Sequence, residues 1–136
     1  MAETLLLQLV SPERSLVEEQ VTEVQVPALD GFIGVLPGHA PLVSELKPGG
    51  VLSYRTTSGE DKILAVYGGF VEVTGDRVRV LADGAEPSTE IDLAQAQRIF
   101  DEARKNSEEH SESIDPAVAL DEMLRAQARL EAATRK

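Results

Sequence analysis

His39 and His110 are the two side chains of this 136-residue chain that change charge near neutral pH. They stand far apart in sequence, and neither has a second histidine one helical turn away. Spacing therefore offers no paired-imidazole metal site. Asp30 and Glu45 lie near His39. They read either as acid–base partners of that ring or as solvated loop carboxylates. Gly-x-Ser-x-Gly is absent, and no serine has the flanking glycines of a nucleophile elbow. Gly68-Gly69 sits between two strand-like runs, which makes it a tight turn and not a phosphate cradle. With no cysteine, disulfides and thiolate chemistry are excluded.

The segment holding His39 is more informative than the ring itself. Asp30-Gly-Phe-Ile-Gly-Val-Leu-Pro-Gly-His-Ala-Pro41 has glycine or proline at five of its twelve positions. Glycine permits backbone angles that other residues avoid, and proline fixes its own. The pattern predicts a shaped loop, a short strand over Phe32–Leu36 and a second shaped loop. Such a segment displaying one histidine is a docking surface or a site, and His39 reads as a loop-ordering donor ahead of a catalyst.

Positioning that segment requires a β framework. Leu5–Val10 and Thr22–Val26 are strand-like, with Pro27 expected to stop the second. Val51–Thr57, Lys62–Tyr67, Phe70–Thr74 and Arg77–Leu81 follow. Val71/Val73 and Val78/Val80 alternate with Glu72 and Arg77/Arg79, the period of half-buried antiparallel strands. Turn residues separate the runs, which predicts a sandwich or barrel. Aromatics are only 4% of the chain, so its core has to be aliphatic.

Beyond Gly84 glycine disappears and alanine becomes frequent. Ser88 or Thr89 is expected to cap a helix with Glu90 and Asp92 in its first turn. Leu93, Ala96, Ile99/Phe100 and Ala103 fall on one face. Asn106–Ser113 reads as a turn. Asp115-Pro116 then opens a second helix with the stripe Leu120, Met123, Ala126/Gln127, Leu130 and Ala133. The two helices make an antiparallel hairpin, and its alanine faces bury little area at about 25 cal/mol per Å². A hairpin so weakly held leans on the sandwich or on a partner.

The formal net charge of −11, spread over both halves, argues against nucleic acid and against docking on anionic lipid. No run reaches the roughly 20 apolar residues of a membrane span, so no direct membrane insertion is expected. The start of the chain lacks a basic region ahead of its apolar stretch, so a signal peptide is not expected.

Read in order, Ser11-Pro12-Glu13, Val24-Gln25-Val26-Pro27, Asp30-Gly31-x-x-Gly34-Val35-Leu36-Pro37-Gly38-His39-Ala40-Pro41-Leu42, Lys47-Pro48-Gly49, Gly68-Gly69-Phe70-Val71-Glu72-Val73 and Val80-Leu81-Ala82-Asp83-x-Ala85-Glu86 closely resemble the epsilon subunits of bacterial F-type ATP synthases, called delta in mitochondria. The match runs in register along almost the whole chain. The resemblance implies an N-terminal antiparallel β-sandwich of about ten strands over 1–86 and a regulatory two-helix hairpin over 87–136. It implies a non-catalytic subunit of the central stalk, peripheral on the cytoplasmic face of the bacterial inner membrane. There the sandwich binds the gamma subunit and seats it on the c-ring, coupling proton-driven ATP synthesis. Phe32 and His39 fall where family members contact the c-ring. The hairpin lies folded on the sandwich, or extends along gamma towards the alpha and beta subunits and inhibits hydrolysis.

No metal is expected from the histidine spacing, and no cofactor is expected to be required; the resemblance adds ATP as a regulatory ligand in some members through Ile/Leu-Asp-x-x-Arg-Ala. Here that motif reads Ile91-Asp92-Leu93-Ala94-Gln95-Ala96, with Gln95 in the arginine's place. Glu86, Ile91, Asp92, Arg125 and Arg129 match the family's ATP-binding positions. Arg125 and Arg129 share a helix face and either meet phosphates or pair with Glu122 or Glu131. Arg98, one turn beyond Gln95, is a substitute cation. A stand-alone ATP-sensing small-ligand-binding protein is the alternative reading, and an enzyme using His39 a third.

Overall fold

The computed structural model describes residues 3–108 and 115–135. Nine strands come first: β1 (Leu5–Val10), β2 (Ser15–Ala28), β3 (Gly31–Val35), β4 (His39–Glu45), β5 (Gly50–Thr56), β6 (Asp61–Val66), β7 (Gly69–Gly75), β8 (Arg77–Ala82) and β9 (Ala85–Pro87). A single 3₁₀ turn, Ser88–Glu90, leads to α1 (Leu93–Glu108) and α2 (Pro116–Arg135).

The strands form one hydrogen-bonded sheet in the order β4-β7-β8-β1-β2-β5-β6-β9, with β3 paired to β2. The alternation in the sequence sets which side faces in. Leu5, Leu7 and Leu9 are buried while Leu6, Gln8 and Val10 are partly open. Val71/Val73 and Val78/Val80 point inward between Glu72 and Arg77/Arg79. These side chains meet Val21, Val24, Val26, Leu52 and Leu64 in one aliphatic core.

Four expectations about the elements change. The pairing is not antiparallel throughout: β1 runs parallel to β8, with Leu7 opposite Val78 and Leu9 opposite Val80. Pro27 does not stop β2. The ladder with β5 ends at Gln25, so Pro27 has a ladder partner only in β3, opposite Phe32, while its carbonyl accepts from the Lys47 N–H at 3.0 Å. The second shaped loop is in fact mostly strand β4. Pro41 fits there because β4 is an edge strand with a bulge between His39 and Leu42. Asn106 and its neighbours up to Glu108 are helical, and the rest of the expected turn, with His110, lies outside the described residues.

The helices cap differently from expectation as well. Ser88 and Thr89 belong to the 3₁₀ turn, and Asp92 is the cap of α1: its Oδ1 accepts the Gln95 N–H at 3.1 Å. Asp115 caps α2 in the same way, accepting the Ala117 N–H at 2.9 Å, with Pro116 at the first helical position. α2 lies on β5 and β6, and α1 packs on α2. Ala132 and Ala133 join Val51, Ala65, Ile91 and Ala96 in a second, smaller core. Leu93, Ile99 and Leu120, expected to face inward, are exposed. The contacts are made by alanines, and helices that approach through alanine bring their larger neighbours to the rim instead of the seam.

Candidate functional site

Two places collect the residues singled out by sequence. The first is the glycine–proline segment. Gly38 adopts φ 86°, a left-handed angle only glycine takes easily, and its N–H donates to the Gly75 carbonyl at 2.9 Å. The His39 N–H closes the turn on the Leu36 carbonyl at 3.1 Å. The ring's Nδ1–H donates to the Ala40 carbonyl at 2.6 Å. His39 thus orders its own loop. Asp30 and Glu45 are both exposed, and neither hydrogen-bonds to the ring among the described residues. No group of three or more metal-ligating side chains occurs among the described residues either.

Phe32 stands on strand β3, 60% exposed, with Lys47 Nζ 5.6 Å from its ring centroid. The structure does not bring Phe32 and His39 together. Phe32 is near the β2–β3 turn, whereas His39 lies past the other end of β3, opposite Gly75. At ~3.3 Å per residue the strand separates the two ends by ~13 Å. Leu29 and Leu36, one at each turn, are also about half exposed.

The second place is the junction of β9, α1 and α2. Glu86 accepts from the Tyr67 hydroxyl at 2.7 Å and from Arg129 Nε at 3.1 Å. Arg129 Nη2 donates at 3.0 Å to Gln95 Oε1. One guanidinium therefore ties the last strand, α1 and α2 into a single network. Its partner is Glu86, not Glu122 or Glu131; Glu131 pairs with Arg135. Burial, seconded by the bond to Glu86, raises the Tyr67 phenol well above its ordinary pKa, with Arg129 and Arg125 opposing.

The remaining matched residues are divided. Arg125 is exposed and, with Arg129, lines a cleft of about 520 Å³ between the helices and Tyr67. Ile91 is buried in the second core, and the Asp92 carboxylate faces the start of α1 as its cap. Arg98 is exposed on α1. Geometry thus unites Glu86, Gln95, Arg125 and Arg129, and gives Ile91 and Asp92 structural tasks. Tyr67 was missed by sequence reasoning, because nothing local to a tyrosine after a strand signals a carboxylate 19 residues later. Arg14, likewise missed, reaches Glu90 at 2.7 Å and lowers its carboxyl pKa, chiefly through the hydrogen bond.

Comparison with known proteins bears on both places. Residues 4–88 match the family model of the ATP synthase delta/epsilon chain beta-sandwich domain. The chain is 48% identical to the ATP synthase epsilon chain of Solibacter usitatus, covering all of both proteins. It is 41% identical to that of Syntrophomonas wolfei, over 95% of this chain and 93% of the relative. Among solved structures it resembles a chain of the cryo-EM structure of the Euglena gracilis mitochondrial ATP synthase OSCP/F1/c-ring assembly. There the TM-score is 0.83 at 27% identity, over 96% of this chain and 81% of that one. A β framework matched from end to end, followed by helices that full-length relatives share, leaves one assignment: the chain belongs to the delta/epsilon family of ATP synthase subunits, as an epsilon chain.

Proposed function

We propose that this epsilon chain is a non-catalytic rotor subunit whose sandwich joins gamma to the c-ring and whose hairpin restrains ATP hydrolysis. The observation that carries the reading is the hairpin's mode of attachment. It rests on the sheet through alanines while Leu93, Ile99, Val118 and Leu120 stay exposed. Apolar residues left outside a weakly held helical pair suit an element that leaves the sheet and covers them against a partner. The gamma, alpha and beta subunits are those partners. Laid end to end, the 16 residues of α1 and the 20 of α2 reach ~54 Å at 1.5 Å per residue, a span that carries the hairpin from the rotor foot towards the catalytic subunits.

At the sandwich end, Phe32 and His39 are the proposed c-ring contacts. Since β3 lies between them, one contact surface has to run its whole length. No helix among the described residues is long and apolar enough to cross a membrane. The subunit is placed by its partners, peripheral on the cytoplasmic face of the bacterial inner membrane. Pull-down of gamma and c-ring by the full chain tests this. Phe32→Asp is expected to weaken c-ring recovery and leave gamma recovery unchanged. Enzyme lacking residues 87–136 is expected to hydrolyse ATP faster while still coupling rotation to proton flow; unchanged hydrolysis removes the inhibitory role.

A second reading, ATP as a regulatory ligand, is favoured by the cleft beside Arg125 and Arg129. Entry of a phosphate group has to displace Glu86 and Gln95 from Arg129. A missing charge-assisted contact is worth ~1.5–3 kcal/mol, so Gln95→Arg is expected to tighten ATP binding by about one to two decades. Calorimetry on the full chain checks it, and silence at millimolar ATP in both proteins ends the reading.

A further inference from the structure

We propose that the hairpin closes on the sheet by a two-point clasp that needs no ligand. One point is a bare backbone seat at Gly49, and the other is the Arg129 network. The inference deepens the proposed function by naming what sets the hairpin's position, and it rests on the hairpin being movable.

The seat comes from close approach. A Cβ placed on Gly49 would lie 2.7 Å from the Arg125 backbone nitrogen and closer still to the Leu124 carbonyl group. Real Cβ contacts essentially never reach such distances, and the atoms in the way are helix backbone, which cannot rotate aside. Gly49 does not have a left-handed φ, so alanine there costs the loop nothing in backbone angle. Space under α2 is the whole requirement for glycine at this position.

The second point lies one helical turn further along α2, since Arg125 and Arg129 are four residues apart. There Arg129, with 18% of its side chain exposed, binds Glu86 from the last strand and Gln95 from α1. Tyr67 donates to the same Glu86 oxygen, Oε1, that Arg129 Nε reaches. Every strong acceptor in this network is satisfied by the protein's own donors. Between the two points the apolar contribution is small, because the buried residues of α2 are all alanines. Position therefore depends on the seat and the network more than on area.

A methyl group at Gly49 should lift α2 while the sandwich stays folded. The chain has no cysteine, so spin labels attached through Asp76→Cys and Gln127→Cys report the distance from sheet to α2 without background. In nucleotide-free buffer the parent is expected to give one narrow distance. Gly49→Ala is expected to raise the open-to-closed ratio by ~10-fold or more. Arg129→Met, which loses a partly exposed pair, is expected to raise it ~2–5-fold. Both variants should keep the sandwich amide spectrum of the parent. A parent already open without nucleotide overturns the proposal, as does a Gly49→Ala distance equal to the parent's. Should Gly49→Ala fail to fold, an unshifted Arg129→Met overturns it alone. Because the labels read the isolated full chain, hydrolysis by the assembled enzyme tests the inhibitory role separately. An opened hairpin with unchanged hydrolysis keeps the clasp and removes that role.

Discussion

The sheet and the hairpin are held by different materials. In the sheet, Leu5, Leu7, Leu9, Leu52 and nine valines are almost wholly buried, every one carrying branched bulk into a single core. In α2 the buried side chains are Ala119, Ala126, Ala128, Ala132 and Ala133. Burial of a leucine contributes about 1.5–3 kcal/mol, and an alanine methyl only a fraction of that. The sheet is thus held far more strongly than the hairpin. A helix pair can be seated accurately without being seated strongly, provided a backbone contact and a few directional bonds supply the position that area does not.

The largest test of this contrast is a cavity in the sheet. Leu7→Ala should cost ~3 kcal/mol and lower the urea midpoint of the whole chain, because the hairpin has no floor once the sheet is lost. Circular dichroism showing strands and helices lost together agrees; helices that outlast the strands break the contrast. Next is overpacking of the hairpin. Ala132→Leu, at a fully buried site, should cost ~1–3 kcal/mol of docking and raise hydrogen exchange in α1 and α2 only. Faster exchange through β1 and β8 would show the halves to be one cooperative unit.

A smaller effect is expected in alkali. Tyr54 and Tyr67 are the only tyrosines, and burial raises both phenol pKa values, with Glu19 and Glu86 accepting their hydrogen bonds. The folded chain then holds these protons after an unfolded chain has released them. The associated stability is complete below the unfolded value near ~10 and is lost as pH rises beyond it. Phenolate absorbance should therefore appear together with unfolding. A gradual rise in a chain that keeps its strands would refute the burial argument. The smallest effect belongs to Arg14–Glu90, an exposed pair linking the β1–β2 turn to the 3₁₀ turn. Glu90's folded pKa is lowered, so its contribution is present above the unfolded value near ~4.3 and fades as pH falls through the folded one. Arg14→Ala should lower the melting temperature slightly at neutral pH and not at all in strong acid.

Much of the sheet was legible because a period of two is written directly in Val71/Val73 and Val78/Val80. What stayed hidden was non-local. No pattern in β1 announces a parallel partner 70 residues later, and no residue near Pro27 tells that the β5 ladder has already ended. Helix existence was plain, but facing was not: Leu93 and Ile99 carry the stronger hydrophobic signal, yet Ala96 and Ala103 make the buried contact. In the junction, Glu86 and Arg129 were found through the family motif. Their bond to each other, and Gln95's place in it, needed the fold to bring three elements together.

The parallel pairing of β1 with β8 also has a consequence for synthesis. The first of the nine strands in chain order has the last but one as its parallel neighbour, so that ladder stays open until residue 81 has left the ribosome. Pairings this distant in sequence slow folding, since the intervening loop must close first. Until then β1 can pair only with β2, and its Leu7 and Leu9 wait for Val78 and Val80. A nascent chain exposed only as far as Gly75 is expected to leave open to exchange the β1 amides that face β8, whereas one exposed through α1 protects them. Protection already present at Gly75 would show that the sheet closes without its parallel seam.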